Sequence, residues 1–451
     1  MKLIPQIVFA IVLLAGIGYF SWNVRKLIRN IKLGRKIDRT DRKTERWKNM
    51  ARIALGQQKM VVRPLPGLMH IIVYLGFIII NIEVLEIIID GLFGTHRIFA
   101  PLGATYDVLI GSFEILALLV IVAVTVFWIR RNVIKLKRFI YPEMKGWPKN
   151  DGNIILYFEA VLMFLFLTMN GADLSLQQLG AEHYTQAGAF PISSLWLPVF
   201  ENLGESTLIL IERSAWWLHI IGILVFLNYL YFSKHLHILL AFPNTWYADL
   251  NPKGQFDNLE SVTNEVKLMM DPNADPFAPV PTEASGVPAE GDMDNVPEKF
   301  GASDVMDLNM VQLLNAYTCT ECGRCTSECP ASQTGKKLSP RKIMMDTRDR
   351  LEEVGKNIDA NKGEFVDDGK QLLDDYITRE ELWACTSCNA CVEACPVNIN
   401  PLSIIMDIRR YLVMEQSAAP TELNTMMTNI ENNGAPWPYN QMDRLNWISE
   451  S

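Results

Sequence analysis

Charged residues are scarce in this chain of 451 residues, and so are the two side chains that most often bind metals. Asp, Glu, Lys and Arg make up 20% of the chain against 49% hydrophobic residues, and there are only eight cysteines and six histidines. Such an apolar composition excludes a disordered or collagen-like chain. The sequence also lacks a glycine-rich nucleotide-binding motif between a strand and a helix, and a nucleophile and base set for hydrolysis. It therefore predicts neither a nucleotide-binding enzyme nor a hydrolase.

The scarce residues divide the chain into two unlike parts. Residues 1–242 hold all six histidines and carry a charge of +9, whereas residues 243–451 hold all eight cysteines and carry −17, which gives the net charge of −8. At about 100–200 residues per domain, the length predicts two or three units. The expected units are a membrane domain at 1–242, an acidic proline-rich linker at 243–300, a cysteine-containing domain at 301–420 and a tail at 421–451.

The first part contains five apolar runs long enough to cross a membrane, each of which needs about 20 helical residues. They cover residues 3–22, 68–90, 107–129, 153–170 and 214–241. Fourteen basic residues lie between the first and second runs and seven follow the third, whereas Arg97 and Arg213 are the only ones after the second and fourth. Because basic loops stay inside, the sequence predicts a multi-pass protein of the bacterial inner membrane. Its amino terminus is expected outside and its cysteine domain in the cytoplasm.

Three of the histidines suggest a cofactor site between the apolar runs. His219 and His237 are 18 residues apart, or five helical turns, so on one continuous helix they would leave the same face about 27 Å apart. His70 in the second run lies level with His237, and an imidazole from each of two neighbouring helices is what a b-type haem requires. The alternative is that His70 and His237 are amphipathic interface residues.

Carboxylates within the apolar runs also need an explanation, because a charge at mid-bilayer is costly. Glu83 and Glu86 share one face of the second run toward its outer half, Glu114 lies in the third run and Glu159 in the fourth. We expect Glu83 and Glu86 to take protons from a quinol. The alternative is that they are protonated or water-exposed packing residues.

The membrane part resembles a known cytochrome family. The resemblance lies in the five runs, the segment Gly67-Leu-Met-His70 and the pair His219 and His237. These features are similar to the cytochrome b subunit of respiratory nitrate reductase and to its relatives in membrane-bound heterodisulfide reductases, over most of residues 60–242. The resemblance implies that His70 and His237 ligate a haem b near the cytoplasm, with menaquinone as substrate.

The resemblance is incomplete at the outer end of the bundle. In the nitrate reductase subunit, a second histidine of the second helix partners the outer histidine of the fifth. Positions 71–90 contain no histidine here, so an outer haem on His219 would need His96 or His183 as its partner. One haem is therefore predicted.

All eight cysteines fall into two copies of one spacing. The runs are Cys319-x2-Cys322-x2-Cys325-x3-Cys329-Pro330 and Cys385-x2-Cys388-x2-Cys391-x3-Cys395-Pro396. Zinc sites favour paired C-x2-C units separated by longer gaps, and disulfides are rare in a reducing cytoplasm. The triple spacing and the following proline resemble bacterial dicluster ferredoxins, in which the fourth cysteine of each run ligates the other [4Fe–4S] cluster. The resemblance implies that Cys319, Cys322, Cys325 and Cys395 bind one cluster, and that Cys385, Cys388, Cys391 and Cys329 bind the other.

The 55 residues between the two runs predict helices rather than the hairpins of a compact ferredoxin. Ser339 with Pro340 at the first helical position and Thr378 are typical N-caps, and an amphipathic helix is expected after Asn400. Over about residues 301–415 the chain resembles the iron–sulfur subunits of heterodisulfide reductases. The predicted fold class is all-α, with a five-helix membrane bundle followed by an α-helical dicluster ferredoxin domain.

The assigned cysteines also limit the predicted function. In the resembled family, the substrate is reduced at a separate module with paired cysteines, and no thiol remains here for one. We therefore expect an electron-transfer subunit between menaquinone and a cytoplasmic partner, using haem b and two clusters and binding no nucleic acid. The partner would be a cysteine-rich disulfide reductase-like subunit or a flavoprotein dehydrogenase. The alternative is a membrane-tethered ferredoxin carrier or redox sensor whose helices are only an anchor.

Overall fold

A computed structural model describes residues 3–272 and 299–449, and in this part of the chain the protein is helical without any strand. The helices of eight or more residues are α1 (Leu3–Ile31), α2 (Lys43–Met50), α3 (Pro64–Phe93), α4 (Ala104–Asn132), α5 (Trp147–Leu179), α6 (Glu205–Tyr229), α7 (His237–Trp246), α8 (Glu260–Met270), α9 (Met310–Thr318), α10 (Pro340–Ala360), α11 (Pro401–Arg410) and α12 (Thr421–Asn433). The all-α prediction is confirmed.

Shorter segments complete the described secondary structure. Short α-helical segments are Leu197–Phe200, Arg324–Glu328, Pro330–Gln333, Leu372–Asp375, Arg379–Trp383, Ala390–Ala394 and Asn446–Ser449. Turns of 3₁₀-helix are Ala100–Leu102, Lys137–Phe139, Pro142–Met144, Ser193–Trp196, Leu230–Phe232, Lys234–Leu236, Val305–Asp307 and Gln441–Leu445. Turns of π-helix at Ala51–Leu55 and Tyr411–Glu415 extend α2 and α11.

Five helices form a bundle of membrane-spanning length. α1, α3, α4, α5 and α6 are each long and apolar enough to cross a bilayer. Each packs on the next in that order, and α6 returns to α1, which closes the ring. Their inner faces bury a core that includes Phe9, Phe113 and Phe166, while large aliphatic side chains remain exposed on the outer faces. The prediction of a membrane protein with five spanning helices is confirmed.

The fifth span does not continue as one helix to residue 241. A 3₁₀ turn follows α6, and the chain becomes extended at Ser233, with φ −115° and ψ 148°. The buried carboxylate of Asp151 accepts hydrogen bonds from Tyr229 Oη (2.5 Å), Ser233 Oγ (2.7 Å) and Lys234 N (3.1 Å). These bonds hold the chain out of the helical conformation. The prediction that His219 and His237 share one face of a continuous helix is therefore wrong.

The cysteine domain packs around α9, α10 and α11. Ser339 caps α10 with Pro340 at its first position, Thr378 forms a capping box with Glu381, and Asn400 caps α11. These caps confirm the helices that were predicted between and after the two cysteine runs. The domain core includes Leu313, Ile343, Leu351, Leu382 and Ile404.

Part of the expected linker is also helical. α7 crosses residue 242 and α8 lies within the expected linker range of 243–300. The most proline-rich portion, residues 273–298, lies outside the described residues.

The cysteine domain is docked on one end of the bundle through a shared core. Leu27 of α1, together with Leu230 and Leu236 beyond α6, belongs to the same buried cluster as the core of the cysteine domain. Asn30 Nδ2 donates to Tyr317 Oη at 2.9 Å, and both side chains are buried. The position of the domain is thus set by direct packing on the bundle.

Backbone contacts reinforce this docking. Arg35 N donates to Leu308 O (2.8 Å), and Met310 N donates to Arg35 O (2.9 Å). Gly34 lies so close to this bridge that an added Cβ would be 2.8 Å from Leu308 O and 2.9 Å from Leu313 Cδ1. A side chain at position 34 could therefore fit only if the two domains moved apart.

Candidate redox centres

The two cysteine runs adopt the same unusual backbone course. The residues on either side of the second cysteine of each run are left-handed, with φ 53° at Glu321, 69° at Gly323, 56° at Ser387 and 60° at Asn389. Left-handed residues turn a chain sharply, so each loop curls around the space that its first three cysteines enclose. A short helix follows in both runs, Arg324–Glu328 in the first and Ala390–Ala394 in the second.

The fold groups the cysteines across the two runs. Burial raises the pKa of the Cys325 thiol, and the nearby thiols of Cys322, Cys319 and Cys395 raise it further. In the other group, Cys391 lies within reach of Cys329, Cys385 and Cys388, and these four side chains line one recess. Cys325 is also within reach of Cys391, so the two groups are neighbours. Cys329 therefore lies with the first three cysteines of the second run, and Cys395 is a neighbour of Cys322 and Cys325 of the first.

The thiol environment matches a cluster better than a single ion. In the described part of the chain, no three His, Cys, Asp or Glu side chains lie close enough to hold one metal ion. The cysteine sulfurs bound to the four corners of an iron–sulfur cube are further apart than the ligands of one ion, so wider spacing is expected for a cluster. Burial raises the pKa of Cys319 to about 12 and that of Cys395 to about 11. A thiolate at these positions needs a compensating positive charge, which cluster iron supplies.

The cysteines differ in exposure. Cys319, Cys329, Cys391 and Cys395 are buried, and Cys388 is exposed. The group that contains Cys388 therefore has an edge at the surface, whereas the first run faces the membrane domain.

His70 and His237 face each other at the end of the bundle nearest the cysteine domain. Their ring centroids are 6.3 Å apart with the planes at 42°. Metal–imidazole bonds are about 2.0–2.1 Å long at zinc sites, so an ion bound by two opposed rings places their centroids roughly 6 Å apart. The observed separation fits a haem iron between the two imidazoles.

The nitrogens of these rings support that fit. His237 Nδ1 donates to Lys234 O at 3.1 Å, which orients the ring as a backbone partner does at metal sites. Burial also lowers the pKa of His237, so the ring is neutral and able to bind iron. His70 Nδ1 is buried without a hydrogen-bond partner. The ring centroid of His235 lies 5.4 Å from that of His237, and His235 Nε2 is 3.7 Å from Glu159 Oε1.

The remaining histidines have separate surroundings. His219 is 1% exposed, its Nδ1 lies 3.0 Å from Leu162 O, and its ring contacts Phe166. His96 lies against Asp173, with 3.5 Å between Nε2 and Oδ1. These contacts do not pair His219 with His96, and they offer no support for an outer haem between them.

A cavity of about 720 Å³ opens at the opposite end of the bundle. Its wall includes Glu83, Glu86, Arg97, Trp216 and Trp217. It therefore combines carboxylates with flat aromatic side chains.

Glu83 and Glu86 differ sharply within this cavity, although both are 3% exposed. Glu86 Oε1 accepts from Phe99 N and its Oε2 accepts from Tyr106 Oη, both at 2.9 Å. Glu83 Oε2 is buried and has no hydrogen-bond partner among the described residues. Glu86 is thus held by the protein, and Glu83 has an oxygen free for a bound molecule or proton. Glu114 is also engaged, because it accepts from the backbone nitrogens of Ile192 and Ser193.

Sequence reasoning missed the polar group behind these glutamates. Arg97 donates to Asp173 Oδ2 (2.5 Å), Tyr106 Oη (3.0 Å) and Asn170 Oδ1 (3.0 Å), and all four side chains are buried. Two features of the sequence could have indicated this group. They are Arg97, which is isolated between the second and third apolar runs, and the polar residues Asn170 and Asp173 toward the end of α5.

The fold and these sites define a membrane protein with five spanning helices and a docked domain for two iron–sulfur clusters. Comparison with known proteins agrees: residues 315–399 match the family described as the 4Fe-4S dicluster domain. No solved structure matches the chain.

Three relatives extend the comparison. The chain is 29% identical over 477 residues to the probable iron-sulfur-binding oxidoreductase FadF of Bacillus subtilis. This alignment covers 99% of this chain and 61% of that protein. It is 24% identical over 441 residues to the EtfAB:quinone oxidoreductase of Syntrophomonas wolfei, with 92% and 55% covered. It is 27% identical over 154 residues to one of the subunits of the dihydromethanophenazine:CoB–CoM heterodisulfide reductase of Methanosarcina mazei, with 34% and 37% covered. The chain thus spans about three-fifths or less of these relatives, all of which are oxidoreductases or their subunits. Its function class is electron transfer with iron–sulfur clusters.

Proposed function

We propose that the protein passes electrons between menaquinone and a soluble partner by way of haem b and two [4Fe–4S] clusters. The observation that carries this proposal is the packing of the first cysteine run on the segments that hold His70 and His237. Arg324 of that run donates to the backbone oxygens of Lys59 (2.8 Å) and Met60 (3.3 Å), just before α3. The two kinds of metal site therefore share one interface.

The ligands follow from the grouping of the side chains. Cys319, Cys322, Cys325 and Cys395 would hold one cluster, and Cys385, Cys388, Cys391 and Cys329 the other. His70 and His237 would hold the haem. When bound, these groups supply one-electron carriers whose potentials depend on ligands, hydrogen bonds and burial.

The charge of the docking surface supports a cytoplasmic position for the cysteine domain. The basic segments before α3 and after α4 lie at the docked end, where Arg29 pairs with Asp359 and Arg63 Nη2 pairs with Glu328 at 2.8 Å. Basic loops remain in the cytoplasm. We place the cysteine domain there and the cavity that contains Glu83 at the outer side.

The surface around Cys388 is the place where a soluble partner would exchange electrons. The name EtfAB:quinone oxidoreductase pairs EtfAB with a quinone for one relative, and a partner of that kind would bind at the exposed edge of this cluster site. A disulfide reductase-like partner remains the second choice, because another relative is part of a heterodisulfide reductase.

The outer cavity would hold the quinone head group. The indole rings of Trp216 and Trp217 offer flat apolar surfaces, and Glu83 offers a free carboxylate oxygen. Quinol oxidation releases protons as well as electrons. Glu83 would accept one of these protons, whereas Glu86 maintains the wall of the site.

A spectroscopic experiment tests the whole proposal. Purified protein is expected to show haem b bands in its dithionite-reduced minus oxidised spectrum, and to contain about eight non-haem irons from two cubanes. Adding a short-chain menaquinol should reduce the haem. Protein that loads both clusters but shows no haem b spectrum would contradict the proposal and favour a tethered ferredoxin.

Replacing Glu83 with Gln should slow reduction of the haem by menaquinol about 100-fold, because a positioned proton acceptor typically contributes 10²–10⁴-fold. The rate is measured by stopped-flow absorbance at the haem b bands. Reduction by dithionite needs no quinol, so it should be unchanged.

Glu86→Gln is the matched control for this prediction. The substitution makes the same Glu-to-Gln change three residues away, but it chiefly disturbs the hydrogen bonds to Phe99 and Tyr106. We expect a loss of stability of about 1–3 kcal/mol with a much smaller effect on the quinol rate. Equal rates in the Glu83→Gln and unmodified proteins would exclude Glu83 as the acceptor.

A further inference from the structure

Two buried charged residues flank Cys322 in the first cysteine run, and both are bound to the membrane domain. Glu321 is 3% exposed and pairs with Lys234; it also accepts from Arg348 Nη1 at 2.8 Å. Arg324 is 6% exposed and donates from two guanidinium nitrogens to the backbone oxygens before α3. The short stretch that contains Cys322 is thus fastened to the bundle on both sides.

The partner of Glu321 belongs to the segment that carries His237. Lys234 lies three residues before this histidine, and its backbone oxygen accepts the hydrogen bond from His237 Nδ1 at 3.1 Å. The ammonium group of Lys234 also donates to Pro148 O at 2.6 Å, which fastens the same residue to the start of α5. A displacement of Lys234 would therefore be transmitted directly to the His237 ring.

The partner of Arg324 belongs to the segment that carries His70. Met60 O, which accepts from Arg324, packs on the first turn of α3 so closely that a Cβ at Gly67 would be 2.8 Å from it. Gly67 lies three residues before His70. Each of the two anchors therefore leads, within a few residues, to one of the two facing histidines.

The second cysteine run shows that its loop does not need these anchors to form. By position, Ser387 corresponds to Glu321 and Ala390 corresponds to Arg324. Ser387 has the same left-handed backbone as Glu321, yet its side chain bonds only within the cysteine domain, to Met406 and Arg409. The charged pair is thus a feature of the run that faces the membrane domain.

Burying charges is costly unless each one has well-placed partners, so such pairs often serve to fix a geometry rather than to add stability. Here Glu321 has two cations as partners, Lys234 and Arg348, and Arg324 has two carbonyl oxygens. The free-energy cost of burying Glu321 and Arg324 arises where the first cysteine run meets the segments that carry His70 and His237.

We propose that Glu321 and Arg324 are positioning residues that fix the distance between the first cluster and the haem, with Cys322 as the ligand that faces the haem site. We call this pair, with its partners Lys234, Lys59 and Met60, the Cys322 latch. The inference rests on the proposed function, because it assumes a haem between His70 and His237. Neither residue is expected to bind iron itself.

Lys234→Met and Glu321→Gln test the latch in the full-length protein with its metal centres loaded. Lys234→Met is the milder variant, because Glu321 keeps Arg348 and the cysteine run is untouched. Ser387→Ala at the corresponding position of the second run is the matched control. Iron content and the haem b spectrum are measured first, to show that the centres are present.

The decisive readout is the paramagnetic relaxation of the reduced first cluster by the oxidised haem, which depends on their separation. It is measured after radiolytic reduction of frozen oxidised protein, in which an electron placed on the cluster cannot pass on to the haem. Lys234→Met and Glu321→Gln should both weaken this relaxation and slow haem reduction by the clusters at least tenfold, whereas Ser387→Ala should change neither.

Relaxation and rate that stay unchanged in Lys234→Met and Glu321→Gln, with both centres loaded, would overturn the latch and leave the proposed function intact. Absence of haem b from the unmodified protein would overturn the proposed function and the latch with it. If Glu321→Gln fails to load its clusters, Lys234→Met alone decides the question.

Discussion

Replacing His237 with Ala should abolish the haem b bands of the reduced minus oxidised spectrum while both clusters stay loaded. A six-coordinate haem needs two ligands from the protein, and in the proposed function these are His70 and His237, whose ring centroids are 6.3 Å apart. His70→Ala should give the same loss. Electron transfer between menaquinol and the clusters should fall to background in both variants. Haem absorbance, non-haem iron content and stopped-flow reduction of the clusters provide the measurements.

His219→Ala and His235→Ala are the controls for this result. His219 bonds to Leu162 O and packs on Phe166 away from the facing pair, so its loss should leave the haem signal intact. His235 is the sharper control, because its ring lies 5.4 Å from that of His237. If His235→Ala lost the haem and His70→Ala kept it, the ligand pair would have to be reassigned.

The parts of the fold that were predictable are those specified by local patterns. Spanning helices follow from apolar runs, and the N-caps Ser339 and Thr378 predict helices that begin at the next residue. The spacing of the cysteines predicts the dicluster domain because each loop is formed by a few neighbouring residues. Such features need no knowledge of distant partners.

The break after α6 shows why other parts could not be predicted. Apolar residues lie on both sides of Ser233, and the short polar stretch of residues 233–235 does not by itself specify a break in the helix. The break depends on Asp151, about 80 residues earlier, whose buried carboxylate collects three hydrogen bonds from this stretch. A pattern that considers one segment at a time cannot include such a partner.

The two glutamates of the outer cavity make the same point at the level of function. Glu83 and Glu86 are equivalent in sequence, being apolar-run carboxylates one helical turn apart. Their difference arises from Tyr106 and the backbone of Phe99, which satisfy Glu86 alone. The Cys322 latch is likewise invisible in sequence, because Glu321 and Lys234 are 87 residues apart.

Replacing Cys329 with Ser should damage the cluster of the other run, the one whose remaining ligands begin at Cys385. Cys329 lies in the first run, but it lines the recess shared by Cys385, Cys388 and Cys391. Loss of one thiolate should remove or convert that cluster, so iron should fall from about eight per chain toward about four. Electron exchange with a soluble partner should be lost, because this cluster has the exposed edge. Iron analysis and EPR of the reduced protein report the change.

The crossed arrangement can be tested without assigning any EPR signal in advance. Cys388→Ser should leave the same surviving cluster as Cys329→Ser, because both would then remove ligands of one cluster. Cys395→Ser should instead match Cys319→Ser, since Cys395 lies with Cys319, Cys322 and Cys325. If each run held its own cluster, Cys329→Ser would match Cys319→Ser. Cys388 is exposed and Cys319 is buried, so the cluster that Cys388 binds is the one expected to exchange electrons with a soluble partner. Cys329→Ser and Cys388→Ser should therefore lose the cluster signal that responds to this partner, whereas Cys319→Ser and Cys395→Ser should keep it.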